Sequence, residues 1–182
     1  MSELIRRGGV ELKSCIRTVP DFPKKGIGFK DITTLIKDGP AFHQAVQQMY
    51  EPFKNDKVQK IAGIESRGFI LGGAMAFEQG LGFVPFRKPK KLPAQTISES
   101  YALEYGTDSI EMHLDAVQKG ERVLVVDDLL ATGGTAAAAC KIVEKLGGIV
   151  VGVSFLIELS FLPGREKLKG QKLSVLIDFD AE

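Results

Sequence analysis

The stretch that decides the fold is residues 123–135, which read VLVVDDLLATGGT. Its first four residues are aliphatic, a run typical of a strand that is buried on both faces of a parallel sheet. Asp127 and Asp128 follow, and the small residues after them lead into a helical pattern at residues 135–146. A buried strand, a turn of small residues and a helix start indicate an anion site, because backbone N–H groups and the helix dipole attract a phosphate.

The spacing of these residues excludes two common nucleotide sites. The segment lacks the Lys of GxxxxGK[ST] and the glycine spacing of GxGxxG, so a single phosphate fits better than a triphosphate or a dinucleotide. Asp127 and Asp128 would repel that phosphate unless they faced hydroxyl groups or a bridging Mg²⁺. We therefore expect a ribose 5-phosphate here; the alternative is that the two carboxylates only end the strand and cap the turn.

Short apolar runs alternate with amphipathic segments along the rest of the chain. Strands are predicted at residues 61–64, 83–86, 123–126, 149–157 and 173–177, and helices at residues 40–53, 68–79 and 135–146. This alternation predicts an α/β fold with helices flanking a parallel sheet, in which ligands bind beyond the carboxyl ends of the strands. Two segments that do not fit the alternation, residues 20–31 and 87–106, are predicted as long loops.

Two further cationic segments follow predicted strands. In residues 63–68, GIESRG, Arg67 would grip a phosphate with help from the backbone N–H groups of the turn. The alternative for Arg67 is an exposed turn residue that pairs with Glu65. Residues 87–91, RKPKK, are either a solvated charged run or the place where a highly charged leaving group is neutralised.

Composition excludes several classes of function. The chain has 182 residues, 44% of them hydrophobic, and 24 Lys and Arg against 23 Asp and Glu. We expect one domain and no overall positive electrostatic field that would hold nucleic acid or an anionic membrane.

Cys15 and Cys140 fit no disulfide framework and residues 1–9 lack a signal-peptide pattern, so we expect a cytoplasmic protein. His43 and His113 have no partners at metal or triad spacing, which leaves zinc and hydrolytic chemistry without support.

The chain resembles the adenine phosphoribosyltransferase family. Residues 123–135 are similar to the phosphoribosyl-pyrophosphate signature of all type I phosphoribosyltransferases. Other segments are similar to the adenine-specific branch, namely residues 21–23, 26–34, 65–69, 87–88, 91–93, 103–106 and 164–168. The resemblance implies one phosphoribosyltransferase domain over residues 1–182, with a parallel sheet flanked by helices. It also implies a small N-terminal hood at about residues 1–35 and a long flexible catalytic loop at about residues 87–106.

The activity implied by this resemblance is transfer of a phosphoribosyl group from 5-phosphoribosyl-1-pyrophosphate to N9 of adenine. The products are AMP and pyrophosphate, Mg²⁺ is bound mainly through the substrate pyrophosphate, and family members are usually homodimers. In the family pattern Asp127 and Asp128 face the ribose, and Glu104 manages a proton on the base. The residues implied to hold the 5′-phosphate are Ala131, Thr132, Gly133, Gly134 and Thr135. Those implied to hold pyrophosphate are Ser66, Arg67, Arg87, Lys88 and Lys91.

The base site implied by the resemblance lies partly in the hood. Adenine would stack between Phe29 and Leu159, while backbone groups at Gly28 and Lys30 read its edge. Tyr105 is a further loop residue of the family pattern. Gly28 and Lys30 depart from the family, in which a β-branched residue and Arg are common at these positions. Two alternatives stay open: a phosphoribosyltransferase for a 6-oxopurine, and a non-catalytic regulator that binds phosphoribosyl pyrophosphate.

Overall fold

The computed structural model describes residues 9–102 and 106–181. The strands of this part of the chain are β1 (Arg17–Val19), β2 (Phe29–Asp31), β3 (Lys60–Ile64), β4 (Gly82–Phe86), β5 (Thr96–Ala102), β6 (Thr107–His113), β7 (Arg122–Leu130), β8 (Ile149–Leu159) and β9 (Leu173–Phe179). The α-helices are α1 (Thr33–Ile36), α2 (Gly39–Tyr50), α3 (Arg67–Gln79) and α4 (Gly134–Lys145). Short 3-10 helices occupy Leu12–Cys15, Glu51–Phe53 and Gly164–Leu168.

The central sheet has five parallel strands in the order β4-β3-β7-β8-β9. These are the five strands predicted from the aliphatic runs, and β7, β8 and β9 extend beyond their predicted carboxyl ends. The sequence order along the sheet changes direction at β3 and β7, so crossover connections place helices on its faces. The predicted α/β fold with a parallel sheet is confirmed.

Alternate side chains of β7 enter two different hydrophobic cores. Leu124 and Val126 pack in one core with residues of α2 and α3, including Met49 and Met75. Val123 and Val125 pack in the other core with residues of α4 and of the β5–β6 pair. Because strand side chains alternate between faces, β7 is covered on both sides, which explains its continuous aliphatic run.

Two small antiparallel pairs stand apart from the central sheet. β1 and β2 pair in the N-terminal segment that corresponds to the predicted hood. β5 and β6 form the second pair, so residues 96–102 are a strand where the sequence predicted only a loop. The sequence pattern of β5 is largely polar and lacks a clear apolar face. The strand exists because it pairs with β6 and packs against α4, which are both tertiary contacts.

Within the described ranges, no helix is both long enough and apolar enough to cross a bilayer.

Candidate active site

The loop between β7 and α4 is held by close backbone packing. Gly133 has a φ of +73°, in the left-handed region that favours glycine. A Cβ on Gly133 would lie 2.3 Å from the carbonyl oxygen of Gly164, and a Cβ on Gly164 would lie 2.3 Å from the carbonyl oxygen of Ala131. The loop and the 3-10 helix at Gly164–Leu168 therefore approach each other as closely as glycine allows.

This loop lines a small cavity of about 80 Å³ at the start of α4. Four of the five predicted phosphate-binding residues line it, and Gly134 does not; the full lining is Asp127, Leu129, Leu130, Ala131, Thr132, Gly133, Thr135, Ala136 and Phe155. Hydroxyl groups of Thr132 and Thr135 and the first turn of a helix are suited to an anion.

The two carboxylates at the end of β7 are in different environments. Asp128 is 5% exposed and forms an ion pair with Nε of Arg67. Asp127 lies against the first turn of α3, where a Cβ on Gly68 would be 2.9 Å from its Oδ1. Burial, and then the neighbouring Asp128 carboxylate, raise the pKa of Asp127 well above its ordinary value. The site thus combines Asp128, whose charge is balanced by Arg67, with Asp127, whose raised pKa disfavours ionisation.

A second cavity of about 250 Å³ adjoins the first. Its lining comes from the ends of β3 and β7, the segments that follow β3 and β4, and the start of α4. These residues are Ile64, Glu65, Ser66, Arg67, Lys88, Asp127, Asp128, Leu129 and Thr135. Asp127, Leu129 and Thr135 line both cavities, so the two predicted anion sites are contiguous.

Glu65 organises the cationic side of this second cavity. Its Oε2 accepts hydrogen bonds from Nε of Arg87 at 3.0 Å and from the backbone N–H of Lys88 at 2.8 Å. The hydrogen bond from Arg87 is the main reason that the pKa of Glu65 falls below its ordinary value. Arg67 pairs with Asp128 and not with Glu65, so the alternative of a local Arg67–Glu65 pair is wrong. The peptide bond between Glu65 and Ser66 is cis.

Lys91 is exposed and does not line the second cavity, although its backbone carbonyl accepts a hydrogen bond from Arg87 at 3.4 Å. Sequence analysis also missed two residues that hold Lys88. The Lys88 ammonium donates to the hydroxyl of Tyr101 at 2.9 Å and forms an ion pair with Asp108. Neither residue belongs to a local motif, and they reach Lys88 only because β5 pairs with β6.

The segment predicted as the hood contacts the site through Phe29. The Arg67 guanidinium lies 5.3 Å from the centroid of the Phe29 ring, which makes an edge contact with Phe22. Lys30 is 7% exposed, and its ammonium lies 4.6 Å from the centroid of the Phe179 ring. Phe179 is the register partner of Leu159.

Gly28 precedes β2 directly, next to Phe29. Glu104 and Tyr105 lie outside the described residues.

Comparisons with known proteins identify the family. Residues 33–173 match the phosphoribosyl transferase domain family. An adenine phosphoribosyltransferase of Solibacter usitatus is 56% identical over 170 residues, which are 93% of this chain and 98% of that protein. The chain belongs to the adenine phosphoribosyltransferase family. This finding confirms the family and the enzyme class, a pentosyltransferase, that the motifs predicted.

Solved structures of other members of the adenine phosphoribosyltransferase family share the fold. The enzyme of Thermoanaerobacter pseudethanolicus is 55% identical with a TM-score of 0.90, over 93% of this chain and 98% of that chain. The Saccharomyces cerevisiae enzyme, complexed with adenine and an imino-altritol bisphosphate, is 38% identical with a TM-score of 0.83. That match covers 91% of this chain and 94% of the yeast chain.

Proposed function

We propose that this chain transfers the 5-phosphoribosyl group of 5-phosphoribosyl-1-pyrophosphate to N9 of adenine, which yields AMP and pyrophosphate in purine salvage. The observation that carries the proposal is the wall shared by the two cavities, with a phosphate-type loop on one side and Arg67 and Lys88 on the other. A substrate with a phosphate at one end of a ribose and a pyrophosphate at the other matches this arrangement. The family relationship supports the same substrates, because the yeast relative is complexed with adenine.

The 5′-phosphate is assigned to the loop of Ala131, Thr132, Gly133, Gly134 and Thr135. Its backbone N–H groups and hydroxyls would hold the phosphate at the start of α4. Asp127 and Asp128 would accept hydrogen bonds from the ribose hydroxyls. As the bond at the anomeric carbon breaks, positive charge develops on the sugar, and carboxylates beside it stabilise that charge.

The pyrophosphate is assigned to the side of the second cavity lined by Ser66, Arg67 and Lys88. Arg87 and Lys91, which lie outside the cavity lining, are assigned as further members. Guanidinium forks bind phosphoryl oxygens bidentately, and an ammonium acts as a point charge. Glu65 would hold Arg87 in place while the Lys88 backbone is anchored to the same carboxylate.

We assign Mg²⁺ to a position where the substrate pyrophosphate, and not a set of protein side chains, supplies most of its ligands. Among the residues that the structure describes, no group of three or more His, Cys, Asp and Glu side chains is placed to hold a metal ion. Oxygen donors of Asp127 and Asp128 fit a cation that keeps most of its ligands from phosphate and water. Bound with the pyrophosphate, Mg²⁺ would neutralise charge on the leaving group.

The base site is assigned to Phe29 and Leu159, with the backbone of Gly28 and Lys30 reading the edge of adenine. Stacking supplies affinity, and fixed backbone donors and acceptors discriminate an amino group at C6 from a keto group. The contacts of the Lys30 side chain support a role for its backbone in reading adenine. The Lys30 ammonium already contacts the Thr18 hydroxyl, at 3.3 Å, and the Phe179 ring. Glu104 would manage the proton on the base, and Tyr105 is assigned to the same loop.

A cytoplasmic homodimer is the form in which we expect the enzyme to act. Cys15 and Cys140 are free thiols, as expected in a reducing compartment. Ile70 and Phe77 on α3 are 45% and 91% exposed, and a second copy of the chain would cover such an apolar surface. Light scattering coupled to gel filtration should give twice the chain mass; a mass of 19.8 kDa would contradict the dimer.

The test of the activity offers phosphoribosyl pyrophosphate and Mg²⁺ with adenine, hypoxanthine, guanine or xanthine in separate reactions, followed by chromatography of the products. We expect AMP from adenine and no nucleotide from the three oxopurines. Turnover of an oxopurine would overturn the base site and retain the donor site. Tight binding of the donor without turnover of any base would support a regulator instead.

A further inference from the structure

Lys88 is held at both ends. Its backbone N–H donates to Oε2 of Glu65 at 2.8 Å, in the wall of the second cavity. Its ammonium donates to the hydroxyl of Tyr101 at 2.9 Å and pairs with the Asp108 carboxylate. The Tyr101 hydroxyl in turn donates to Oδ2 of Asp108 at 3.1 Å. The path of the side chain between these anchors is therefore defined.

The two anchors of the ammonium are themselves fixed by the fold. Tyr101 and Asp108 are register partners across β5 and β6. Tyr101 is 9% exposed, and its ring packs against Gly134 at the start of α4, where a Cβ would lie 3.2 Å from Cδ2 of the ring. The hairpin of β5 and β6 is thereby joined to the phosphate loop on one side and to Lys88 on the other.

We propose that Asp108, supported by Tyr101, is a positioning residue that aims the Lys88 ammonium at the pyrophosphate of the donor substrate. The inference rests on the proposed function, which assigns Lys88 to pyrophosphate. An ammonium has three N–H donors, and Asp108 and Tyr101 accept two of them, so the third is directed by the other two. A lysine that is already ordered loses less side-chain entropy when it binds an anion.

The charge states of Lys88 and Asp108 support the same positioning role. Burial is the largest single influence and acts to lower the pKa of Lys88, but the hydrogen bonds and charges of Asp108 and Tyr101 together outweigh it and raise that pKa above its ordinary value. The hydrogen bond from Lys88 lowers the pKa of Asp108. Both groups are therefore charged at neutral pH, and the ammonium keeps the charge that a pyrophosphate requires.

The test compares Asp108→Ala with a matched control on the same hairpin, Glu99→Ala. Glu99 lies on β5 and pairs with Lys145 at 2.6 Å and Lys141 at 3.6 Å, both on α4, so it anchors the hairpin without touching Lys88. We expect Asp108→Ala to raise the KM for phosphoribosyl pyrophosphate about two- to tenfold, the range for ordering one flexible side chain. The KM for adenine should stay the same, and Glu99→Ala should leave both constants unchanged.

Two conservative variants sharpen the test. Asp108→Asn retains an acceptor oxygen and should recover part of the donor KM. Tyr101→Phe retains the ring packing on Gly134 and removes only the hydroxyl, so its effect should be smaller than that of Asp108→Ala. An Asp108→Ala variant with an unchanged or lower donor KM overturns the inference, since a lower KM would mean that Asp108 sequesters the ammonium.

A double-mutant cycle with Lys88→Met separates this inference from the proposed function. Asp108→Ala should have no further effect on the donor KM in the Lys88→Met background. An equal effect in both backgrounds overturns the positioning role. An unchanged donor KM in Lys88→Met itself would remove Lys88 from the pyrophosphate site, whereas an impaired Lys88→Met with a neutral Asp108→Ala would overturn only the inference.

Discussion

Strands β3 and β7 have an ion pair near their amino ends and another near their carboxyl ends. Only the pair near the carboxyl ends belongs to the candidate active site. At the amino ends of β3 and β7, the Lys60 ammonium lies 2.8 Å from Oε2 of Glu121 and donates to the Ala116 carbonyl at 2.8 Å. Near the carboxyl ends, Arg67, which follows β3, pairs with Asp128 in β7. All four charged groups are at least partly buried, so pairing and burial do not distinguish the two ends.

The carboxyl ends differ from the amino ends because an additional carboxyl group and an adjoining cavity lie there. There, Asp127 adds a second carboxylate whose pKa is raised, and a cavity of about 250 Å³ adjoins both carboxylates. At the amino ends the charges of Lys60 and Glu121 balance each other. A balanced ion pair therefore indicates structure, whereas a partly buried titratable group with a raised pKa beside a cavity indicates function.

The largest expected effect concerns the packing that forms the carboxyl-end site. Gly133→Ala would place a Cβ 2.3 Å from the Gly164 carbonyl oxygen at a φ of +73°. We expect the free energy of unfolding to fall by about 3 kcal/mol, from left-handed strain and overpacking together. Urea denaturation of the parent chain and of Gly133→Ala measures this difference in the free energy of unfolding.

Gly73→Ala is the matched control, because a Cβ at Gly73 in α3 meets open space. It should stabilise the chain by about 0.5–1 kcal/mol. Equal effects of the two substitutions would show that the loop tolerates a side chain and that its packing is looser than the structure implies.

The next effect is kinetic and compares the two ion pairs directly. Asp128→Asn removes the charge that faces Arg67 and the proposed ribose contact. We expect kcat/KM for phosphoribosyl pyrophosphate to fall about 10- to 100-fold, as for the loss of a hydrogen bond to a charged group. Glu121→Gln makes the same chemical change at the amino ends and should leave kcat/KM unchanged. Equal losses in both variants would break the comparison.

The pH dependence of stability should have opposite signs at the two ends. The pKa of Asp127 in the folded chain lies above its ordinary value of 3.8. Such a group stabilises the folded state fully below that value, and this contribution is lost as the pH rises through the raised pKa. Asp127→Asn should therefore gain stability relative to the parent chain as the pH rises from about 4 to 8. Denaturation curves at several pH values measure the trend, and a flat difference would contradict it.

The smallest effect is the stability contribution of the amino-end pair. Burial is the largest single influence and acts to raise the pKa of Glu121, but the hydrogen bonds from Lys60 and the Gln118 backbone, with the Lys60 charge, together hold it below its ordinary value of 4.5. Glu121 therefore stabilises the fold above pH 4.5 and loses this contribution as the pH falls through the lowered pKa. Glu121→Gln should cost about 1 kcal/mol at neutral pH and less in acid. A larger cost in acid than at neutral pH would contradict the sign.

Much of the fold was predictable because its signals are local. The aliphatic run of residues 123–126 predicts a buried strand, and the turn after it predicts an anion site at a helix start, all within 13 contiguous residues. Residues 63–68 give the second strand end in the same way. The strand β5 was not predictable, because its sequence is largely polar, with only Ile97 and Tyr101 packed in the core, and its partner and packing surface lie elsewhere in the chain.

The sequence by itself determined the parallel sheet, the glycine-containing turn after β7 and the residue types gathered at its carboxyl edge. These follow from periodicity and from the short-range geometry of strands, turns and helix starts. Only the tertiary structure decided which charges meet. Arg67 reaches Asp128 across 61 residues because β3 pairs with β7, and Lys88 reaches Asp108 because β6 pairs with β5. Pairing between strands is a long-range contact that no local pattern specifies, so the partners of the site cations become known only once the sheet is assembled.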